Sequence, residues 1–219
     1  MDTKQYVIDF IEGRVNVTDF FSTLKNDPRV FDWLQSLVSE GENWSYDFVW
    51  NGSSYDEIIG PYDVRRVFSY FCKRGGETRA GNQLNIHDWI YRLVKKSFPD
   101  ESIKIDTTIE NKFNFLLEAC PEYLLSVDVE SSGILEELME EFPETMSKGK
   151  RIKAFKEKLK SMFFIEGQKY PRWIQDSEWP LSKTGKPTKF LRQKSKGEIS
   201  YYYFLDVDTN EEIQIIQAY

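Results

Sequence analysis

The stretch PRWIQDSEWPL, residues 171–181, holds two tryptophans and two prolines and lies where the sequence pattern changes. Before about Gly167 the apolar residues recur at helical spacing, and after it they alternate as in β-strands. The prolines disfavour a helix interior and favour extended backbone, so we expect a short strand here. We further expect Trp173 and Trp179 to be buried where helices meet a sheet. A binding role for the two rings is the alternative.

The segments after Gly167 indicate an antiparallel sheet. Three strands are predicted, with the sequences KPTKFLRQ, EISYYYFLDV and EEIQIIQA. The chain reverses between them at KSKG and DTN. Short connections of this kind produce a meander of antiparallel strands. The middle strand is apolar on both faces, with Tyr201 and Tyr203 on one side and Tyr202 and Phe204 on the other. Such a strand is covered on both sides by the protein, or on one side by the protein and on the other by a partner.

The first two thirds of the chain predict helices. Apolar residues recur at helical spacing in segments that begin near Tyr6, Phe20, Val30, Val64, Ile86, Ile109, Ile134 and Ile152. We expect Thr18, Asp63, Asn85 and Ser147 to cap helices, Pro28 to lie in a first turn, and Thr107 with Glu110 to form a capping box. RGGETRAGN, residues 74–82, reads as a loop.

The predicted fold class is therefore α+β, with an N-terminal multi-helix region followed by a C-terminal antiparallel β-meander. Charge divides the chain at a similar place, because residues 1–146 carry 27 acidic and 14 basic side chains. Residues 147–196 carry 4 acidic and 15 basic side chains. We predict an acidic helical region, 1–146, and a region of one basic helix plus three or four strands, 147–219. The two can pack as one unit, with the basic segment lying against the acidic one.

Composition places the chain among folded proteins of the cytoplasm. Of its 219 residues 40% are hydrophobic and 16% are aromatic, which is enough to bury a core. No apolar run approaches the roughly 20 residues of a membrane helix. The first residues lack the basic region and apolar core of a signal peptide. We therefore expect a cytoplasmic protein without membrane association.

Residues with catalytic potential are few and scattered. His87 is the one histidine, and Cys72 and Cys120 each end an apolar helical stripe. We expect His87 in a first helical turn, where positive charge is disfavoured, and both thiols in apolar surroundings. DVDTNEE, residues 206–212, resembles part of a calcium loop but lacks its glycine, so we expect a turn between strands. We predict no enzymatic activity, no cofactor and no metal.

Residues 39–62 interrupt the helical pattern and carry the candidate binding residues. Asn51-Gly52 indicates a hairpin turn, and the aromatic content is high for a connecting segment. We predict that the partner-binding residues are Trp44, Tyr46, Trp50 and Tyr55 as aromatic anchors, with Asp47, Asp56 and Glu57 as their charged rim. The alternative is that these aromatic residues pack as a lid on the helices.

The C-terminal part of the chain resembles a known type of module, on the basis of three sequences: PRWIQDSEWP, GKPTKFLRQ and YYYFLDVDTNEE. Together they resemble a C-terminal module of small uncharacterised bacterial proteins from polymorphic-toxin loci, which are regarded as immunity proteins. The resemblance covers about 50 residues, 171–219, and implies no catalytic residues. It implies a protein that neutralises a toxin by direct contact. The acidic N-terminal region suits a basic target such as a nuclease toxin.

Two other functions remain open from the sequence. A nucleic-acid-binding regulator would use the basic segment, 147–196, as a cationic groove with Trp173 and residues 201–203 as stacking platforms. An enzyme would need a carboxylate site that the sequence does not reveal. The oligomeric state is open as well.

Overall fold

The computed structural model describes residues 2–39, 43–50, 53–61, 63–163 and 170–219, with side chains outside 43–61 and 73–75. It confirms the α+β class, with helices mostly in the N-terminal part and an antiparallel sheet at the C-terminal end. The chain divides into two compact units, residues 1–110 and 111–219.

Unit 1 consists of helices and one hairpin. Its elements are α1 (Thr3–Ile11), α2 (Val17–Asn26), α3 (Pro28–Ser36), β1 (Asn43–Trp50), β2 (Ser53–Pro61), α4 (Val64–Phe71), a 3-10 helix (Lys73–Thr78) and α5 (Ala80–Ser97). Pro28 is the first residue of α3, as predicted, where its missing N–H costs no hydrogen bond. Asp63 caps α4 as predicted, since its carboxylate accepts a bond from the Arg66 N–H.

Aromatic residues fill the core of unit 1. The rings of Phe10 and Phe20 stack with their centroids 3.7 Å apart, and Phe68 meets Phe21 and Phe31 edge to face. These rings join buried aliphatic residues from α1 to α5 in one continuous cluster. The apolar periodicity of the sequence therefore marks the buried faces of these helices.

Two predicted helix caps in unit 1 are wrong. The N-cap of α2 is Asn16, whose side chain accepts from the Asp19 N–H at 2.8 Å, and not Thr18. α5 begins at Ala80, well before Asn85, so the predicted loop 74–82 is a 3-10 helix followed by the first turn of α5.

Side-chain contacts explain why residues 74–82 do not form a loop. The Asn82 side chain donates to the carbonyl oxygens of Phe71 and Gly76, at 2.8 and 3.0 Å. A side chain on Gly76 would collide with the Phe71 carbonyl oxygen, so glycine allows the chain to approach itself closely there. The glycines that suggest a loop are thus needed for a tight connection between two helices.

Unit 2 combines short helices, one long helix and the meander. Its elements are α6 (Thr108–Ala119), which contains the unit boundary, a 3-10 helix (Glu122–Leu124), α7 (Val127–Ser131), α8 (Ile134–Glu141), α9 (Lys148–Met162), β3 (Lys189–Lys196), β4 (Ile199–Leu205) and β5 (Glu212–Ala218). The strand order β3-β4-β5 with antiparallel pairing confirms the predicted meander.

The boundary between the units lies at 110/111, whereas the charge distribution predicts one at 146/147. The reason is that α6 and α8 contact α9, the basic helix. Phe115 of α6 meets Phe155 of α9 edge to face at 5.0 Å, and Lys148 of α9 pairs with Glu118 of α6 at 2.6 Å. An acidic part of the chain therefore belongs to the same compact unit as the basic segment.

The two tryptophans of residues 171–181 lie in the core of unit 2, as predicted. Trp179 is fully buried and contacts the rings of Phe163, Phe190 and Phe204. Its indole N–H donates to the Thr188 carbonyl oxygen at 3.3 Å. The expected short strand is absent: residues 171–180 hold no strand, and Leu181 forms only an isolated antiparallel bridge with Pro187.

Trp173 covers the inner face of the meander. Its ring lies 4.4 Å from that of Tyr202 and 6.0 Å from that of Phe204, and its N–H donates to the Tyr123 carbonyl oxygen at 3.0 Å. The Gln217 side chain accepts from the backbone N–H of Ile174 at 3.0 Å. Side chains rather than a strand therefore hold residues 171–181 on the sheet.

Candidate protein-binding surfaces

The predicted partner-binding residues all lie in the hairpin of β1 and β2. The two strands pair antiparallel, and Asn51-Gly52, the predicted turn, lies outside the described residues. Tyr46 is paired with Glu57 and Asp47 with Asp56. In the same ladder Trp44 is paired with Gly60, Tyr55 with Phe48, and Trp50 with Ser53. The backbone thus brings all seven residues into one ribbon of two strands.

The hairpin forms a sheet of its own. β1 and β2 are the two strands of this sheet, and the described strands of the meander form another. A two-stranded hairpin is at best marginally stable in water when nothing covers it. The surrounding sequence is acidic, since residues 30–64 hold seven Asp or Glu and no Lys, Arg or His. The hairpin is therefore a two-stranded ribbon rich in aromatic and acidic residues, with which no third strand of the described residues pairs.

His87 has a structural environment. It lies in the middle of α5 and not in a first turn, and it is 1% exposed. Its Nε2 lies 3.1 Å from the Ile11 carbonyl oxygen, and its ring packs edge-on against Phe10 at 5.1 Å. Burial lowers the pKa of the imidazole, although the bond to Ile11 opposes this. His87 therefore joins α5 to α1 as a neutral side chain.

The two thiols are poor nucleophiles. Burial raises the pKa of Cys72 to about 12 and that of Cys120 to about 12. Cys72 borders a shallow surface groove that is also lined by Arg66, Phe68, Ser69 and Tyr70. At neutral pH a thiol with such a pKa carries almost no thiolate, so this groove lacks an activated nucleophile.

The DVDTNEE segment forms a turn between β4 and β5, as predicted. Asp206 accepts bonds from the backbone N–H groups of Asp208 and Thr209, and Glu212 pairs with Arg192 at 2.7 Å. Asp208 pairs with Lys186 at 2.8 Å, and this bond holds the pKa of Asp208 well below its usual range. These carboxylates are bound within unit 2. Among the residues that the structure describes, no group of three or more His, Cys, Asp and Glu is placed to hold a metal ion.

The basic segment of unit 2 is partly neutralised by neighbouring acids. Contacts between its cations and carboxylates of the unit include Lys148–Glu118, Arg151–Glu144, Lys158–Glu141, Lys186–Asp208 and Arg192–Glu212. Unit 2 as a whole holds 18 acidic and 16 basic side chains. Trp173 and Tyr202, two of the proposed stacking platforms, cover each other on the inner side of the sheet. These contacts match the simpler interpretation, in which the basic segment lies against acidic residues.

The outer face of the meander is a second candidate binding surface. The inner residues Ser200, Tyr202 and Phe204 are buried, whereas Tyr201 and Tyr203 on the opposite face are half-buried. Among the described residues the inner face of the middle strand is therefore more deeply buried than its outer face, and cover by a partner stays a prediction. The signal in the sequence was the apolar character of both faces of β4.

Comparisons of the chain with protein families, with curated proteins and with solved structures find no match. Within the described ranges, every helix is too short or too polar to span a lipid bilayer.

Proposed function

We propose that this protein is a non-enzymatic immunity protein that neutralises a toxin by direct contact through the β1–β2 hairpin. The single observation that carries the proposal is the hairpin itself, a separate two-stranded sheet that contains the seven candidate residues. A ribbon of this kind gains stability when another surface covers it. A strand of the partner can also add to an edge of the ribbon that no described strand occupies.

Charge supports a basic partner. The 35 residues from Val30 to Val64 carry a net charge of −7, while the whole chain also has a net charge of −7. The acidic surplus is therefore concentrated around the hairpin. Opposite potentials on two proteins speed their encounter and set its specificity. A basic nuclease domain is the class of toxin that this charge fits best.

One rung of the hairpin ladder adds support. Asp47 and Asp56 are directly paired across the two strands. Like charges in this position destabilise a hairpin. A cationic side chain of a bound partner would relieve that repulsion, so the cost in the free protein is offset in the complex.

The two rival functions receive less support from the described residues. A nucleic-acid-binding role depends on the basic segment, whose cations contact carboxylates at several places. An enzymatic role depends on reactive groups, and the pKa values of Cys72 and Cys120 near 12 leave both thiols protonated. The histidine is buried in the core of unit 1.

The proposal is tested by binding between the purified protein and the product of the gene beside its own. We expect a complex whose association rate falls as salt rises from 50 to about 500 mM, because screening weakens steering. Trp50→Ala and Tyr46→Ala should each weaken binding by about tenfold or more, as loss of an anchor residue does. Calorimetry and stopped-flow fluorescence measure the two quantities.

Matched control variants distinguish the loss of a direct contact with the partner from a general effect of substitution. Tyr219→Ala removes an aromatic ring that is 86% exposed, and Asp100→Asn removes an exposed charge of unit 1. Neither should change the affinity. If the hairpin variants bind as well as these controls, or if the neighbouring product does not bind, the proposed function is wrong.

A further inference from the structure

The outer face of the meander is an apolar surface edged by cations. In β4 the residues Ile199, Tyr201, Tyr203 and Leu205 face this side, and in β5 Ile216 is 55% exposed beside Tyr201. An antiparallel sheet with one solvated face normally alternates apolar and polar residues. Here the central strand is apolar on its solvated face too, which is the pattern of a sheet with something packed on it.

Cations line one side of this face. The register places Arg192 beside Tyr203, Lys194 beside Tyr201 and Lys196 beside Ile199. Lys194 and Lys196 are exposed, while Arg192 stacks on Tyr203 at 4.2 Å and pairs with Glu212 at 2.7 Å. The face therefore offers an apolar centre and a row of positive charge along β3.

We propose that this face binds an amphipathic helix of a partner protein, with the apolar stripe of the helix on β4 and β5 and acidic residues along β3. The proposal is independent of the function assigned to the hairpin. Seven residues of β4 extend about 23 Å, and three strands are about 14 Å wide. One helix of about 15 residues is about 22 Å long and about 10 Å wide, so its dimensions fit this face.

The same observations disfavour two other occupants. A second copy of the chain packed face to face would bring the same row of cations rather than the acidic flank that these cations favour. A nucleic acid would place phosphates near the carboxylate of Glu212, which lies on this face. Its phosphates would also make no apolar contact with Ile199 and Ile216. A helix with an acidic flank uses both the aliphatic residues and the lysines.

The test uses the whole 219-residue chain and a peptide of about 15 residues with leucines on one helical face and glutamates on the other. A second peptide carries lysines instead of glutamates, and a single-stranded oligothymidine serves as the nucleic-acid probe. We expect fluorescence anisotropy to show binding of the acidic peptide and no binding of the other two. Ile216→Ser should weaken that binding, and Lys194→Glu with Lys196→Glu should weaken it by about tenfold.

Control variants make the result specific to this face. Lys150→Glu with Lys153→Glu changes the net charge equally at exposed positions of α9 and should leave binding unchanged. Circular dichroism checks that each variant is folded. Three results would overturn the proposal: no binding of the acidic peptide, equal loss in the α9 variant, or oligothymidine binding that the β3 variant abolishes. Variants of Trp50 and Tyr46 should not affect peptide binding, so this test and that of the hairpin can fail separately.

Discussion

The hairpin and the meander are both antiparallel sheets, yet the structure supports them in different ways. β3, β4 and β5 have a covered inner face, on which Trp173 and Trp179 contact buried rings of the sheet. β1 and β2 form a sheet of two strands. The meander thus has a core on its inner face. The outer face of β4 is less deeply buried.

This difference assigns folding stability to the meander and, under the proposed function, recognition to the hairpin. A sheet that buries large aromatic rings contributes to the free energy of folding whether or not a partner is present. A two-stranded ribbon contributes little until something covers it, and the proposed function assigns that cover to a partner. The comparison predicts that mutations in the two sheets have different consequences.

The largest expected effect is that of Trp179→Ala. Because Trp179 is fully buried among the rings of Phe163, Phe190 and Phe204, truncation should lower the free energy of unfolding of unit 2 by about 3–5 kcal/mol. Trp50→Ala, the same change in the hairpin, should lower stability by about 0.5 kcal/mol or less. Urea unfolding followed by circular dichroism compares them. A loss for Trp50→Ala as large as that for Trp179→Ala would show that the hairpin belongs to the core.

The comparison also accounts for what the sequence could predict. Trp179 and the strands of the meander were predictable because local spacing and the large cost of an exposed indole determine them. The hairpin strands were predictable from the Asn51-Gly52 signal. Each of these features depends on residues that are close in the sequence.

The failures depend on side-chain contacts that local spacing does not reveal. Asn85 was a reasonable cap, but α5 starts at Ala80 because the Asn82 side chain bonds the end of α4 at Phe71. The compact units divide at 110/111 rather than where the charge changes, since Phe115 packs on Phe155 and charge does not report that contact. For the candidate site the sequence groups the seven candidate residues in one segment, and their role stays a prediction because it depends on a second molecule.

The second expected effect is a difference in acid sensitivity between the units. Burial lowers the pKa of His87 below its ordinary value of 6.5, so the unfolded chain binds the proton first as the pH falls. Unit 1 should therefore be most stable above pH 6.5 and lose stability as the pH drops below that value. The carboxylates of Asp88 and Asp106 favour the charged imidazole and reduce this loss.

The meander should respond at lower pH. Its Asp208 has a pKa held below the ordinary 3.8 by Lys186, so the stability from this pair is present above about pH 3.8 and is lost as the pH falls further. Urea midpoints at pH 7.5, 6.5 and 5.5 measure the first response, and His87→Gln should remove most of its slope. Equal slopes for the variant and the natural protein would assign the acid sensitivity to other groups.

The smallest expected effect concerns the Asp47–Asp56 rung and has opposite signs in the free and bound protein. Asp47→Asn removes repulsion between paired carboxylates, so the hairpin should become more stable by about 0.2–1 kcal/mol. Amide hydrogen exchange of β1 and β2 measures this gain, because exchange reports the local free energy of opening. The same substitution should weaken binding to a basic partner, since it removes charge from the contact. Asp100→Asn lies outside the hairpin and should change neither quantity. A variant that gains stability and keeps full affinity would place the partner elsewhere on the molecule. A gain in hairpin stability together with a loss of affinity would show that the paired carboxylates favour binding and destabilise the free hairpin.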